Sequence, residues 1–358
     1  MNRPLLEATD VRIYYKSVHG EYKVVDGVDV TVERNEIFGL AGESGCGKST
    51  LVEGIMRLIR PPGRIASGRA MFYPQEPISR ALATTQPAGA PGKDKLGDGI
   101  DLFQVNDDDL RYLRWRYLSY IPQGSMNSLN PVMRIGDQMI DVIVQHSELT
   151  KVQARERAIE VLATVGLSPR VERAYPHELS GGMKQRAIIA MAVTLNPQLI
   201  VADEPTTALD VNVQRAVLET IAEVKERTGA TVIFVSHDLA VHAELVDRLA
   251  IMYAGDVVEV GSVYDIFERP KHPYTQRLIA SIPTLGGPRT RLESITGIAP
   301  SPLAWPPGCR FHPRCPHVMD ICKRVMPKLR ELGPGHQTAC HLYDGDAEQH
   351  VDSKAVVA

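Results

Sequence analysis

The sequence predicts an α/β fold organised around a buried parallel sheet, and three apolar segments carry this prediction. Residues 37–41, 199–202 and 231–235 are short apolar runs without the polar alternation of a solvent-facing strand. Between the last two runs, residues 213–227 have the pattern of a helix, which is the connection that neighbouring parallel strands require. We therefore expect a βαβ crossover in the middle of the chain.

The segments around this core predict further structural units. Apolar residues in 5–11 and 28–32 follow strand-like patterns on either side of a polar turn, so the chain opens with β structure. Residues 124–180 carry a helical apolar stripe and predict a small helical subdomain. Residues 74–99 are rich in Pro, Gly, Ala, Thr and Lys without periodicity, which predicts a mobile surface insertion. We expect the first domain to span residues 1–269.

Composition excludes several classes of function. The chain has 358 residues, of which 44% are hydrophobic and 23% are charged, enough for a full core. Its formal net charge of -3 gives no positive field that would collect nucleic acid, so we expect no nucleic-acid partner. No apolar run of about 18 residues occurs, and the first ten residues lack a basic stretch followed by an apolar one. We therefore expect a cytosolic chain that does not itself cross a membrane.

A glycine-rich segment lies between the first apolar strand and a helical stretch. It fits the P-loop pattern, in which backbone N–H groups surround nucleotide phosphates, a lysine adds a charge and a hydroxyl ligates Mg²⁺. The predicted nucleotide-binding residues are Gly42, Glu43, Ser44, Gly45, Cys46, Gly47, Lys48, Ser49 and Thr50. The alternative is an ordinary glycine-rich turn, and the flanking strand and helix argue against it.

Two carboxylates follow the second apolar strand. Ligands bind at the carboxyl ends of parallel strands, which places Asp203 and Glu204 beside the glycine-rich segment. We expect Asp203 and Ser49 to hold Mg²⁺, directly or through water, and Glu204 to polarise the attacking water. The alternative is a strand that merely ends in a solvated acidic turn.

The sequence Leu-Ser-Gly-Gly-Met-Lys-Gln-Arg at residues 179–186 matches the signature of ATP-binding cassette proteins. The chain thus resembles the ATP-binding subunits of ABC transporters. This resemblance implies that Ser180, Gly181 and Gly182 face the γ-phosphate held by the P-loop of a second subunit, so that ATP lies between two chains.

Three further residues match motifs of the same family. Gln123, in Tyr-Ile-Pro-Gln, resembles the Q-loop glutamine that senses Mg²⁺ and the attacking water, which adds it to Ser49 and Asp203 as an expected Mg²⁺ ligand. Asp210 resembles the D-loop residue that communicates across the dimer, and His237 resembles the switch histidine that contacts the γ-phosphate. The resemblance therefore implies that Glu204, His237 and Gln123 are the catalytic residues.

The adenine-stacking residue of the family has a less specific counterpart here. Tyr15 occupies the expected place shortly before the loop that precedes the second strand. Tyr14 alternates with it in the strand and Tyr22 lies just beyond the turn, so a core or surface role for Tyr15 is the alternative.

Three short segments indicate a subfamily. Residues 128–131 (Ser-Leu-Asn-Pro), 175–178 (Tyr-Pro-His-Glu) and 272–275 (His-Pro-Tyr-Thr) resemble oligopeptide/dipeptide (peptide/nickel) importer subunits, as does the tail after residue 270. The implied fold is a P-loop ABC ATPase with an antiparallel β-subdomain, a RecA-like parallel-sheet core and an α-helical subdomain. A loop-rich, cysteine-containing C-terminal extension at 270–343 and a disordered tail at 344–358 follow.

The resemblance also implies function and partners. The chain would be the ATPase that powers import of oligopeptides or dipeptides, with ATP and Mg²⁺ bound, at the cytoplasmic face of the inner membrane. Its partners would be a second ATPase subunit that is a different chain, two transmembrane permease subunits and an extracytoplasmic substrate-binding protein. Oligosaccharide or nickel import is an alternative. An alternative of a different class is a soluble ABC ATPase that remodels nucleic acid. This alternative is disfavoured because the sequence shows no coiled-coil heptads, no second cassette and no basic stripe.

Four cysteines cluster in the predicted extension, separated by five, six and seventeen residues: Cys309, Cys315, Cys322 and Cys340. In a reducing compartment such clustering points to a metal, and these intervals exceed the spacing common in zinc knuckles. The resemblance favours a [4Fe–4S] cluster over Zn²⁺. His312, His317 and His341 are possible substitute ligands. The remaining alternative is four reduced thiols without metal.

Overall fold

The computed structural model describes residues 3–75, 78, 99–207, 209–282, 295 and 297–345. The strands are β1 (Leu6–Ser17), β2 (Gly20–Val32), β3 (Ile37–Ala41), β4 (Gly63–Phe72), β5 (Ile100–Asp101), β6 (Leu118–Ile121), β7 (Leu199–Asp203), β8 (Thr231–Val235), β9 (Arg248–Tyr253), β10 (Asp256–Ser262), β11 (Arg330–Gly333) and β12 (His336–Thr338). The α-helices are α1 (Lys48–Ile55), α2 (Asp107–Leu113), α3 (Ile135–His146), α4 (Lys151–Thr164), α5 (Gly181–Val193), α6 (Val211–Thr228), α7 (Leu239–Leu245), α8 (Val263–Glu268) and α9 (Pro273–Ala280). The insertion predicted at 74–99 and the tail predicted at 344–358 lie almost entirely outside the described residues.

The N-terminal strands form an antiparallel sheet with the order β2-β1-β4-β5. Its buried side chains, among them Val11, Ile13 and Val28, join a core that also includes Leu51 and Ile55 of α1. The sheet is therefore anchored on the helix that follows the glycine-rich segment.

The second sheet has the order β11-β12-β10-β9-β3-β8-β7-β6. Strands β9, β3, β8, β7 and β6 run parallel, and β3, β7 and β8 among them are the predicted apolar runs. Every residue of β3, β7 and β8 is buried. Because these strands are parallel, the segments that follow them meet at one edge of the sheet, where a ligand site is expected.

The helical region lies between β6 and β7. Helices α3 and α4 bury Ile135, Met139 and Ile143 against Ala158 and Leu162 in one core that continues into the parallel sheet. None of the helices in the part of the chain that the structure describes is both long and apolar enough to cross a lipid bilayer.

The C-terminal region continues the second sheet. Hairpin β11–β12 pairs with β10, with Glu259 opposite Thr338. Glu259 is completely buried and accepts hydrogen bonds from the backbone N–H groups of Lys271 (2.6 Å) and His272 (2.9 Å). Its carboxylate also lies 2.8 Å from Nε2 of His336. The region predicted as a loop-rich extension therefore includes two strands that are part of the core sheet.

Candidate active site

The glycine-rich segment, residues 42–49, connects β3 to α1 and takes backbone conformations that only glycine adopts readily. Gly42 and Gly47 have φ values of 148° and 106°. A Cβ atom at Gly42 would lie 2.1 Å from the carbonyl oxygen of Met252, and one at Gly47 would lie 2.7 Å from that of Val24. The turn that brings N–H groups toward a phosphate therefore depends on these two glycines.

The Lys48 side chain folds back onto the backbone of the same segment. Its buried ammonium donates hydrogen bonds to the carbonyl oxygens of Gly42 (2.9 Å) and Glu43 (3.1 Å). Its Nζ also lies 3.8 Å from the Sγ of Cys46, which is buried. The charge is thus held at the floor of the loop.

A cleft of about 300 Å³ opens over this loop. It is lined by Val24, Ser44, Gly45, Gly47, Lys48, Ser49, Thr50, Gln123, Glu204 and His237. Nine of these ten residues are predicted site residues, and Val24 is the addition. Among the described residues, the lining does not include the other predicted ones, which are Tyr15, Gly42, Glu43, Cys46, Ser180, Gly181, Gly182, Asp203 and Asp210.

The candidate Mg²⁺ ligands contact each other directly. The Ser49 hydroxyl donates to Oδ1 of Asp203 at 2.9 Å, and the Tyr120 hydroxyl donates to Oδ2 at 3.0 Å. Burial raises the pKa of Asp203, and the hydrogen bonds from Ser49 and Tyr120 oppose this effect. A buried carboxylate beside a hydroxyl is a donor set that fits a hard cation such as Mg²⁺.

Glu204 follows β7 at the cleft and accepts hydrogen bonds from three side chains. Gln123 Nε2 and Thr207 Oγ1 both donate to Oε2, at 3.0 and 2.9 Å. Nδ1 of His237 lies 3.1 Å from Oε1. Partial burial raises the pKa of Glu204, but the hydrogen bonds from His237 and Thr207 outweigh it, so the pKa is lowered overall. Glu204 is therefore a carboxylate at neutral pH, and one of its four acceptor positions remains for a water molecule.

The signature segment lies at the N-terminus of α5, outside the cleft. Ser180 caps this helix by accepting a hydrogen bond from the backbone N–H of Met183 at 3.3 Å. Ser180 and Gly181 are exposed, whereas Gly182 is buried with Val213 against it. The exposed helix end could face a phosphate of another molecule.

Asp210 and Tyr15 are placed by local contacts. Asp210 is the N-cap of α6 and accepts from the backbone N–H of Val213 at 3.1 Å. Tyr15 is partly buried with Thr50 near its hydroxyl, and its ring packs on Gly63. Its ring is not part of the cleft wall, so the adenine-stacking role stays a prediction.

Comparison with known proteins identifies the fold and family. The model of the ABC transporter family matches residues 25–207, just over half of the chain, and the model of the oligopeptide/dipeptide transporter C-terminal region matches residues 258–322. The chain belongs to the ABC transporter family. The predicted ABC ATPase fold and ATPase class are thereby confirmed.

Relatives of this ABC protein extend over nearly the whole chain. The oligopeptide transport ATP-binding protein AppD of Bacillus subtilis is 40% identical over 96% of this chain and 99% of its own length. The dipeptide transport ATP-binding protein DppD of Caldanaerobacter subterraneus subsp. tengcongensis is 37% identical over 95% and 97%. The DppD protein of Escherichia coli is 36% identical over 96% and 98%.

A solved dimeric structure of a bacterial ABC transporter cassette has a similar fold. It superposes with a TM-score of 0.58 and is 25% identical, covering 72% of this chain and 98% of its own. A dimeric post-hydrolysis cassette bound to ADP and phosphate also has a TM-score of 0.58, at 24% identity. The latter likeness concerns the fold alone.

The four clustered cysteines of this ABC protein lie near one another as free thiols. Burial raises the pKa of Cys340 to about 12, with further increases from Cys309, Cys315 and Cys322, and burial raises the pKa of Cys309 to about 11. The backbone N–H of Cys309 donates to the carbonyl of Cys322 at 2.8 Å. Within the described ranges, however, no three or more His, Cys, Asp or Glu side chains are arranged to hold a metal ion. The predicted metal site is therefore not confirmed.

Two of the histidines near these cysteines, His312 and His341, have hydrogen-bond partners. His341 places Nδ1 against Asp344 and Nε2 2.8 Å from the carbonyl of Val325. Both ring nitrogens of His341 therefore have partners in this arrangement, and its role as a substitute ligand stays a prediction. His312 has Nδ1 2.9 Å from the carbonyl of Cys309.

Sequence reasoning missed four residues that shape the site. Val24 lines the cleft, Tyr120 and Thr207 bind the two carboxylates, and Arg314 pairs with Glu43 of the P-loop. Tyr120 is the first residue of the Tyr-Ile-Pro-Gln motif that contains Gln123, and Thr207 lies three residues before Asp210. Val24 and Arg314 carry no local signal, because their position follows only from strand order and from the path of the C-terminal region.

Proposed function

We propose that this chain binds ATP in the cleft and hydrolyses it, with Glu204 as the group that orients the attacking water. The observation that carries the proposal is the Glu204 side chain, held by Gln123, Thr207 and His237 at the wall of the cleft that Lys48 also lines. Three hydrogen-bond donors fix the orientation of this carboxylate, so its remaining acceptor position can bind a water molecule at one defined position.

The P-loop supplies the phosphate contacts in this proposal. Backbone N–H groups of residues 44–50 and the Lys48 ammonium would neutralise the β- and γ-phosphates. Ser49 and Asp203 would hold Mg²⁺, which neutralises phosphate charge when bound. Tyr120 keeps the Asp203 carboxylate oriented toward Ser49. His237, whose side chain is 55% exposed, would contact a γ-phosphate through its other ring nitrogen while Nδ1 stays on Glu204.

The second part of the proposal is a site shared between two ATPase subunits. Ser180 and Gly181 are exposed at the start of α5, and the cleft formed by this chain does not include them. A second subunit, which we propose to be a different chain, would place its own signature over this cleft. Asp210, exposed at the start of α6, would lie at that interface.

We infer the transported substrate from the relatives. Their names describe dipeptide and oligopeptide transport, and the match to the transporter C-terminal region supports the same class for this chain. The chain would drive peptide import at the cytoplasmic face of the inner membrane, with two permease subunits and a substrate-binding protein. Residues 1–269 would form the ATPase domain, with its helical subdomain at 124–180, and residues 270–343 would form the C-terminal extension.

The experiment is peptide-stimulated ATP hydrolysis by the assembled transporter in lipid vesicles. Ser180→Phe should leave nucleotide binding by the isolated full-length chain intact but lower turnover in the complex. Loss of nucleotide binding by the isolated variant would contradict the shared site. Hydrolysis that no peptide stimulates, with the binding protein present, would contradict the substrate class.

We also propose that the four cysteines ligate a [4Fe–4S] cluster. Their clustering as free thiols, with the backbone of Cys309 hydrogen-bonded to that of Cys322, supports this. Anaerobic purification should yield about four iron and four sulfide per chain. Stoichiometric zinc without sulfide, or metal-free protein, would contradict the cluster.

A further inference from the structure

We propose that the C-terminal region positions the phosphate-binding loop, with Arg314 and Tyr274 as the positioning residues and Glu43 as their target. Arg314 forms a two-pronged ion pair with Glu43, from Nη1 to Oε2 at 2.9 Å and from Nη2 to Oε1 at 3.0 Å. The Tyr274 hydroxyl accepts a hydrogen bond from the backbone N–H of Glu43 at 2.9 Å. Both partners lie beyond residue 270.

These contacts take place in a largely water-excluded setting. The side chain of Arg314 is 6% exposed and that of Glu43 is 25% exposed, and Tyr274 is completely buried. The ring of Tyr274 lies 4.6 Å from that of Tyr253 and 5.5 Å from that of Phe311. Arg314 also donates to the Tyr253 hydroxyl at 3.2 Å. The contacts of Arg314 and Tyr274 with Glu43, which we call the clamp, are therefore a fixed part of the core and not a chance contact of long surface side chains.

Glu43 is held through all three of its polar groups. Tyr274 binds its N–H, Arg314 binds its carboxylate, and Lys48 binds its carbonyl oxygen. The neighbouring residue, Gly42, has no side chain to restrict its backbone. Without the clamp, the first half of the loop would have more conformations to lose when ATP binds, and affinity would fall for that reason.

The inference rests on the proposed function in one respect, namely that residues 42–50 bind the phosphates of ATP. In addition, the C-terminal region supports this site through Glu43, on the side of the loop that faces away from the cleft, and does not itself line the cleft. The predicted signature is a rise in the Kd and KM for ATP with little change in kcat, because Glu204, Gln123 and His237 keep their contacts.

The test uses the full-length chain with Arg314→Gln and, separately, Tyr274→Phe, which removes one hydroxyl and preserves the ring. We expect a Kd for ATP about tenfold higher for Arg314→Gln and severalfold higher for Tyr274→Phe, with kcat of the assembled transporter within about twofold of wild type. Arg314→Lys should restore part of the affinity, since it retains the charge but not the two-pronged geometry.

The matched control is Arg248→Gln. Arg248 forms a partly buried ion pair with Glu36, at 3.0 and 3.3 Å, at the opposite end of β3 from the loop. The Arg248→Gln substitution should lower the unfolding temperature without changing the Kd for ATP. If Arg248→Gln weakens ATP binding as much as Arg314→Gln does, general destabilisation accounts for the effect and the clamp is refuted.

Two further variants separate this inference from the proposed function. Lys48→Ala should abolish ATP binding; if it does not, the loop is not the phosphate site. If Lys48→Ala abolishes binding while Arg314→Gln and Tyr274→Phe bind ATP like wild type, the site stands and the clamp is wrong. Glu43→Gln combined with Arg314→Gln should be no worse than Arg314→Gln alone, and an additive loss would overturn the pairing.

Discussion

Replacement of Glu204 by glutamine should stop hydrolysis without disturbing the fold, and the hydrogen bonds of the site explain why. A glutamine carbonyl oxygen could accept from both Gln123 and Thr207, as Oε2 of Glu204 does. Its NH₂ group would then face Nδ1 of His237, which can accept in its other tautomer. All three contacts survive, so we expect the unfolding free energy to change by less than about 1 kcal/mol.

The loss in turnover should be much larger than the loss in stability. The variant has no negative charge with which to polarise water, and a general base contributes roughly 10²–10⁴-fold to the rate. This corresponds to about 3–5 kcal/mol of activation free energy.

The assay is phosphate release by the assembled transporter at saturating ATP, with ATP affinity and unfolding temperature measured on the same preparation. Affinity should be at least that of wild type, and the closed dimer should accumulate. A kcat within threefold of wild type would refute the role given to Glu204. So would a kcat loss accompanied by an equal loss of ATP affinity, since that would place Glu204 in phosphate binding.

Three other outcomes are expected from the structure. Burial lowers the pKa of His242 and His272 from 6.5 to about 4, so the unfolded chain takes up protons before the folded chain does as pH falls through this window. The unfolding free energy measured in urea should therefore be lower at pH 5 than at pH 7 by about 2 kcal/mol per histidine. His242→Gln should reduce this pH difference by the share of one histidine, and an unchanged difference would contradict the reasoning. Gly47→Ala should raise the Kd for ATP at least tenfold, because the added Cβ meets the carbonyl of Val24, and wild-type affinity in a binding titration would contradict this. Asp210→Ala should lower the unfolding free energy by about 1 kcal/mol through loss of the α6 cap, measured by urea titration, whereas Asp210→Asn should not.

The parallel core and the position of the P-loop could be predicted from sequence because both depend on local patterns. β3, β7 and β8 are short, largely apolar runs; β3 leads into the glycine-rich segment, β7 ends on a carboxylate and β8 is followed by a serine. The rule that ligands bind at the carboxyl ends of such strands then brings Lys48 and Glu204 together without knowledge of side-chain positions. Most residues of the cleft wall follow from this rule and from family motifs.

The C-terminal contacts could not be predicted, because they depend on pairing between distant residues. β11 and β12 have only four and three residues, and three of the four in β11 are exposed, so no apolar pattern marks them as strands. The partner of Glu43 is 271 residues away. Tyr15 shows a different limit: strand alternation separates it from Tyr14 but does not decide whether its ring faces the cleft or packs on Gly63.

The distance along the chain between Glu43 and Arg314 has a consequence for biosynthesis. A ribosome adds roughly 5–20 residues per second, so about 15–55 s pass between the synthesis of the two residues. Throughout that interval the nascent chain has a complete P-loop sequence but neither the arginine that holds it nor the hairpin that covers the outer edge of β10. We expect the growing chain to bind ATP weakly and to expose a strand edge until residues 314–338 have emerged. A message truncated before codon 314 would then yield a subunit that competes poorly for ATP.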